Sequence, residues 1–178
     1  QDLLIEALSL LVHDDEPQTW NLTLAGDGEG LERMREAAKN AGVLDRVEFT
    51  GYLGGDDLRD WFTRLNVYAH ASAGETLSTS LLQAMSMGLP IVGSNVAGIK
   101  ELLAEGAGYG RLAETQTPQA FADALREVKA NPVEAKAMAD RARALTVTRY
   151  SQEVMFNSYY ALITNTSVRD RNKHWRSA

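Results

Sequence analysis

The sequence has no cysteine, which excludes disulfides and thiolate metal sites. Its three histidines, His13, His70 and His174, stand far apart and show no ligand spacing. No run reaches the roughly 18 apolar residues that a membrane-spanning helix needs, and no signal peptide is visible. Basic charge is short too: 18 Lys and Arg against 24 Asp and Glu leave a net charge of -6. That argues against nucleic acid as a partner, although a local basic patch is compatible with it. Walker, H-E-x-x-H and G-x-S-x-G patterns are all absent.

What is present fits one soluble globular domain: 178 residues, 44% hydrophobic and 24% charged. A chain of this size buries enough surface to fold without covalent staples. Leu3, Leu4, Ala7, Leu8 and Leu11 recur at helical spacing, so residues 2–13 read as an amphipathic helix. The helical pattern starts at once, which suggests that something precedes Gln1. Strands are expected at 21–25, 47–50, 67–71 and 91–94, with a last short one at 109–112. Helices are expected between them: one around Leu31, Met34 and Ala38 that stops near Gly42, one around Leu58, Trp61, Phe62 and Leu65, one at 78–87 and one at about 99–105. Beyond that the chain reads as helical. Thr117-Pro118 starts one helix, Asn131-Pro132 with Glu134 a second, and Ser151 a third with Met155, Tyr159 and Leu162 on one side. The domain is expected to span 1–165, followed by a polar, frayed tail at 166–178 carrying Arg169, Arg171, Lys173 and Arg176.

Strands alternating with helices imply an α/β fold, a Rossmann-like parallel sheet with helices on both faces and a helical C-terminal region. Ligands of such sheets bind beyond the carboxyl ends of the strands. The loops there are 26–30, 51–55, 72–78 and 94–98. In the first, Gly26-Asp27-Gly28-Glu29-Gly30 fails the dinucleotide pattern because Leu31 stands where the last glycine belongs. Asp27 and Glu29 would also put negative charge where a pyrophosphate sits. A tight strand-to-helix turn is the better reading.

Residues 74–101, GETLSTSLLQAMSMGLPIVGSNVAGIKE, carry more. Glu75 leads into a Ser/Thr run at a helix start, whose free backbone N–H groups favour an anion. Ser78, Thr79 and Ser80 add hydroxyl donors, so a diphosphate fits; an ordinary N-cap series reads equally well. Glu75 is placed either to accept hydrogen bonds from sugar hydroxyls or to complement the positive helix end. Gln83, eight residues on, is either a ligand contact or a solvated helix residue. Gly88-Leu89-Pro90 ends the helix, and Ala97-Gly98 reads as a small-residue turn before Glu101. His70 reads as a structural histidine, and Trp61 with Phe62 as core.

These pieces together resemble the C-terminal, nucleotide-sugar-binding half of retaining glycosyltransferases of the GT-B fold, family 4 type. The resemblance is carried by residues 2–7, by Leu24-Ala25-Gly26-Asp27-Gly28, by Arg46-Val47-Glu48-Phe49-Thr50-Gly51, by Glu75 through Gly88-Leu89-Pro90-Ile91-Val92, and by Ala97-Gly98-Ile99-Lys100-Glu101. It implies a nucleotide-diphosphate sugar donor, no cofactor, and transfer to a glycan or lipid acceptor with retention. Glu75 would orient the donor sugar. Thr76, Leu77 and Ser78, with Thr79 and Ser80, would hold the diphosphate; Gln83 would meet the ribose; Gly51 and Tyr52 would lie against the base, with Gly26 at the neighbouring strand end. Three departures stand out. Gln83 replaces an acid, and Ala97 replaces the first glycine of a pair. The family's first strand, together with an Arg and a Lys near it that clamp the pyrophosphate, would fall before Gln1, as would an acceptor-binding half. The resemblance thus implies half of a cytoplasmic enzyme, inactive by itself, whose other half allows peripheral association with a membrane. A nucleotide-sugar 2-epimerase and a degenerate, non-catalytic binding domain are the alternative functions.

Overall fold

The computed structural model describes residues 1–14, 20–104 and 108–164. The tail from 166, including His174 and its basic residues, and the expected helix end at Glu105 lie outside them. Five strands alternate with helices in the order α1 (Asp2–Asp14), β1 (Leu22–Ala25), α2 (Leu31–Asn40), β2 (Val47–Gly51), α3 (Gly55–Thr63), β3 (Tyr68–His70), α4 (Thr79–Ser86), β4 (Ile91–Ser94), α5 (Ala97–Ala104), β5 (Arg111–Ala113), α6 (Pro118–Ala130), α7 (Pro132–Arg149) and α8 (Gln152–Thr164). All strand pairs are parallel. They form two sheets, β1-β2 and β3-β4-β5, with a cleft between β1 and β3.

Helices cover both faces, and the apolar spacing of each helix says which. Ile5 and Leu8 of α1 meet Met34 and Ala38 of α2 on one face. Leu4 and Leu11 of α1 meet Phe121 and Leu125 of α6 on the same side. Trp61 and Phe62 of α3, Leu81 and Met85 of α4, and Ile99 and Leu103 of α5 fill the other face. Burying a side chain such as Phe121 or Leu103 contributes about 1.5–3 kcal/mol, so these two layers hold the strand ends in fixed positions. β4 is buried along its whole length, as expected of a central parallel strand whose sequence, Ile-Val-Gly-Ser, carries no charge. Trp61 and Phe62 are core as expected, packed edge to face with 5.0 Å between ring centroids.

Three expectations are corrected. α5 begins at Ala97, not Ile99, so Ala97-Gly98 is the first turn of a helix and not a free turn. Asn131 does not form a capping box with Glu134. Its side chain donates back to Glu127 O at 2.9 Å, while Glu134 pairs with Arg141 at 2.8 Å. α8 is started by Ser151, whose Oγ accepts from Val154 N–H. The face bearing Met155, Tyr159 and Leu162 is exposed. Leu65 lies two residues past the end of α3 but still joins the core beside Trp61.

Candidate functional site

The carboxyl ends of β1 to β4 and the N-terminus of α4 come together at one edge of the molecule. At β1 and β2, Gly26 N–H donates to Gly51 O at 2.8 Å. Gly51 has a φ of 72°, a left-handed value that lets the chain leave β2 sharply while keeping that bond. Tyr52 follows and is exposed, with its ring folded back over Gly54.

β3 delivers the polar cluster. Tyr68 and His70 point to the same side of the strand, their rings stacked with 6.0 Å between centroids, and the Tyr68 Oη lies 3.4 Å from His70 Nδ1. His70 Nε2 is buried, has no hydrogen-bond partner among the described residues, and stands 3.7 Å from Glu75 Oε2. That gap is too long for a direct hydrogen bond but close enough for electrostatic attraction. Burial holds the imidazole below its ordinary pKa, and Glu75 opposes this only in part. His70 is therefore neutral near pH 7. Burial likewise raises the Tyr68 phenol, with a contact to Ser80 acting the other way.

The chain then turns through 71–78 into α4. Ser78 is the N-cap: its Oγ accepts from Leu81 N–H at 3.3 Å and shares a 3.0 Å hydrogen bond with Ser80 Oγ. Ser78 is buried and already occupied by its own helix, so as a ligand group it offers backbone, not hydroxyl. Ser80 is half-buried, and Thr79 and Thr76 are exposed. The first-turn amides of Thr79 and Ser80 have no intrahelical acceptor, and with the helix dipole they form a positive end suited to an anion. Leu77 is exposed beside them. Gln83 is exposed on α4, one turn beyond Ser80.

Two residues fix this loop, and sequence reasoning gave neither a role in it. Ser94 is buried at the end of β4; its Oγ accepts from Ser72 N–H at 3.0 Å and lies 3.5 Å from His70 O, bracing β3 to the loop. A single hydroxyl closing an otherwise apolar buried strand was the available signal. Gly98 N–H donates to Glu75 O at 3.1 Å. A Cβ at Gly98 would lie 2.2 Å from Thr76 O and 2.4 Å from Glu75 O. The first turn of α5 therefore rests directly on the backbone that carries Glu75. Because Ala97 is helical, its extra methyl is accommodated without a left-handed φ.

Glu75, Ser78, Ser80, His70 and Tyr68 thus form one cluster at the α4 N-terminus. Gly26 with Gly51 and Tyr52 sit on the neighbouring strand ends, and Gln83 on the helix beyond. Among the described residues no group of three or more His, Asp or Glu side chains is arranged to hold a metal ion, and no helix is long and apolar enough to cross a membrane.

The chain is similar to known proteins. The chain is 44% identical over 78 residues to a 2-deoxystreptamine N-acetyl-D-glucosaminyltransferase of Streptomyces fradiae, covering 44% of this chain and 18% of that protein. It is 28% identical over 189 aligned positions to a D-inositol 3-phosphate glycosyltransferase of Streptomyces coelicolor, covering 97% of this chain and 40% of that one. The chain therefore spans less than half the length of these relatives. Among solved structures, Anabaena HepE in complex with UDP-glucose superposes with a TM-score of 0.82 at 23% identity, over 93% of this chain and 45% of that one. The C-terminal domain of a group 1 family glycosyl transferase (LpcC) from Francisella tularensis gives 0.71 at 21%, over 85% and 79%. These likenesses establish the fold. The family model described as glycosyl transferases group 1 matches residues 1–131, and the chain belongs to that family.

Proposed function

We propose that the chain is the donor-binding half of a glycosyltransferase that moves a sugar from a nucleoside diphosphate to a glycan or lipid acceptor with retention of configuration. The observation that carries this is the α4 N-terminus. Free amides of Thr79 and Ser80 stand beside a carboxylate, Glu75, whose backbone is clamped by Gly98. A diphosphate bound to those amides and to the Ser80 hydroxyl is stabilised most when the sugar leaves and its negative charge grows, which is how such a positive end lowers a barrier. Glu75 accepts hydrogen bonds from the donor sugar and turns it toward the acceptor. Thr76 to Ser78 contribute backbone to the phosphate cradle, Gln83 meets the ribose, and Gly51 with Tyr52, next to Gly26, meets the base. Neutral His70 adds no positive charge to offset the Glu75 carboxylate. Acceptor binding falls to the part of the protein outside this chain, which we place in the cytoplasm with its acceptor at the inner face of a membrane.

Calorimetric titration with UDP, GDP and ADP tests the reading, UDP first because the HepE structure holds UDP-glucose. Binding of one diphosphate, weakened when Ser80→Ala or Glu75→Gln is introduced, is expected. The purified 178-residue chain should transfer little or no sugar; robust turnover by it alone would contradict the half-enzyme assignment. One feature, the uncharged Gln83 on α4, favours a second reading, a non-catalytic nucleotide-binding domain. Tight nucleotide binding without sugar release by the intact protein would select it.

A further inference from the structure

Four elements converge on one short row of polar side chains. Tyr68 and His70 stack on the same side of β3, and Phe62 of α3 packs against Tyr68 with 5.8 Å between ring centroids. His70 pairs with Gly93 of β4, and Ser94 Oγ braces its carbonyl. Strand and stacking partner are both fixed, so the imidazole has little freedom to swing. A buried polar atom without a partner needs a reason, and His70 Nε2 is such an atom among the described residues. It faces Glu75. The donors along the row are ordered from its two ends. Leu81 N–H donates to Ser78 Oγ, which leaves the Ser78 hydroxyl hydrogen for Ser80 Oγ at 3.0 Å. Ser80 in turn contacts the Tyr68 phenol, and Tyr68 Oη lies 3.4 Å from His70 Nδ1. At the far end a carboxylate only accepts. When each hydroxyl passes its single hydrogen along the row, Nδ1 accepts from Tyr68 and the ring hydrogen sits on Nε2, facing Glu75. The reverse order would set the Nε2 lone pair against the carboxylate, two acceptors with no hydrogen between them.

We propose that His70 is a positioning residue for Glu75: held in its Nε2–H form by Tyr68, it donates to the Glu75 carboxylate and fixes where that carboxylate meets the donor sugar. This role rests on the donor-site assignment of Glu75. The 3.7 Å separation exceeds a hydrogen bond by about 0.5–1 Å. Rotation of the Glu75 side chain covers that distance while its backbone stays clamped by Gly98. With one carboxylate oxygen held by Nε2–H, the other is left to accept from sugar hydroxyls. A neutral imidazole suits this task. It supplies a hydrogen without cancelling the negative charge, so Glu75 keeps the strength of an ionised acceptor. Binding of a diphosphate does not undo the arrangement. If the phosphate takes the Ser80 hydrogen, Tyr68 still donates to Nδ1 and the tautomer is unchanged. Without the imidazole N–H, the Glu75 side chain would spread over several rotamers, and the geometry that a positioned group needs would be lost.

The test combines spectroscopy and kinetics on the intact protein. With 15N-labelled histidine, long-range 1H–15N spectra at about pH 8, above the ordinary histidine range, read the tautomer; the His70 signals are those lost in His70→Gln. The Nε2–H form is expected, with an Nδ1 resonance that moves downfield in Tyr68→Phe as the accepted hydrogen bond is lost. An Nδ1–H form, or an Nδ1 resonance indifferent to Tyr68→Phe, would overturn the proposal. In the kinetic arm, His70→Phe keeps a stacked ring and removes the donor. It should lower kcat about 10- to 100-fold with an unchanged Kd for UDP. His70→Gln, whose amide places an N–H near the position of Nε2, should recover most of that rate. In a Glu75→Gln background His70→Phe should cost nothing further, because both changes break one interaction. An equal loss in both backgrounds, or no recovery by glutamine, would mark a merely structural role and refute the positioning. Parental kcat in His70→Phe, beside a Glu75→Gln that has lost turnover, would overturn this proposal and leave the donor site standing. Parental turnover in Glu75→Gln would overturn the donor-site assignment itself, and the role of His70 with it. Should His70→Phe fail to fold, Tyr68→Phe carries the kinetic arm: kcat falls at unchanged Kd for UDP, and parental kcat refutes the proposal.

Discussion

Replacing Gly98 with alanine probes the geometry on which the proposed chemistry depends. The added Cβ would sit 2.2 Å from Thr76 O and 2.4 Å from Glu75 O, where such atoms do not approach closer than 3.0 Å. Something has to move by roughly 0.8 Å or more. α5 cannot yield easily, since Ile99 and Leu103 are fully buried behind Gly93, where even a methyl would meet Ile99 at 2.7 Å. The 73–77 stretch is exposed apart from Glu75, so the loop yields and takes the Glu75 carboxylate with it. Overpacking in a rigid site costs about 1–3 kcal/mol, and the strained or lost Gly98-to-Glu75 hydrogen bond adds about 1 kcal/mol. A mobile loop relieves most of the first cost, so stability should fall by only about 1 kcal/mol, or about 2–4 °C in Tm for a domain of this size. Turnover should suffer far more, because a displacement near 1 Å of a positioned group costs on the order of 100-fold. The assay is release of free nucleoside diphosphate by the intact protein, with thermal unfolding measured in parallel. Ala97→Gly, one residue away and free of the clash, is the control and should leave turnover unchanged. Gly98→Ala with turnover within twofold of the parent would refute the claim that α5 positions Glu75. So would a variant that unfolds before it loses activity.

Four further outcomes follow from the site. Gln83→Glu should tighten nucleoside diphosphate binding five- to ten-fold, since a charged acceptor exceeds a neutral one by about 1 kcal/mol; calorimetry giving an unchanged Kd would remove Gln83 from the ribose site. Glu75→Gln should lower turnover more than nucleotide affinity, and the reverse pattern would assign Glu75 to the nucleotide instead of the sugar. Ser78→Ala should cost about 1 kcal/mol through loss of the N-cap, read as a drop in Tm; an unchanged Tm would mean that Ser80 or water takes over the cap. His70 has a depressed folded-state pKa, so its contribution to stability is present above its unfolded value of about 6.5 and is lost as pH falls through the folded value. Urea unfolding midpoints should therefore decline on acidification below about pH 6.5 more steeply for the parent than for His70→Asn, and parallel declines would exclude His70 as the group responsible.

The elements of this fold were legible because each is written locally. Thr117 and Pro118 start α6 with a cap that accepts from Ala120 N–H, and Gly88 ends α4 with a left-handed φ of 72°; both signals lie within a few residues of the feature they cause. The start of α4 was legible for the same reason: Ser78 stands directly before the helix and caps it by accepting from Leu81 N–H. Failures came where a residue's role depends on a distant partner. Gly98 looks like any turn glycine until Thr76 and Glu75, more than twenty positions earlier in the chain, are laid against it. Asn131 and Glu134 have the spacing of a capping box, but Glu127 and Arg141 compete for them and win. The apolar spacing of Met155, Tyr159 and Leu162 predicts a helix with a sticky side, not what that side meets.

The same distinction separates the two ends of the candidate site. The α4 end is built by a single strand-loop-helix unit and one clamp from α5, so its geometry is set within residues 68–98. The Gly26 and Gly51 end belongs to the other sheet. Among the described strands, β1 and β3 share no ladder; the two ends are held in register through helices, by way of contacts such as Trp61 Nε1 donating to Thr23 Oγ1 at 2.9 Å. A ligand that spans both ends therefore couples two rigid halves, and its affinity depends on how firmly the cleft between them is set.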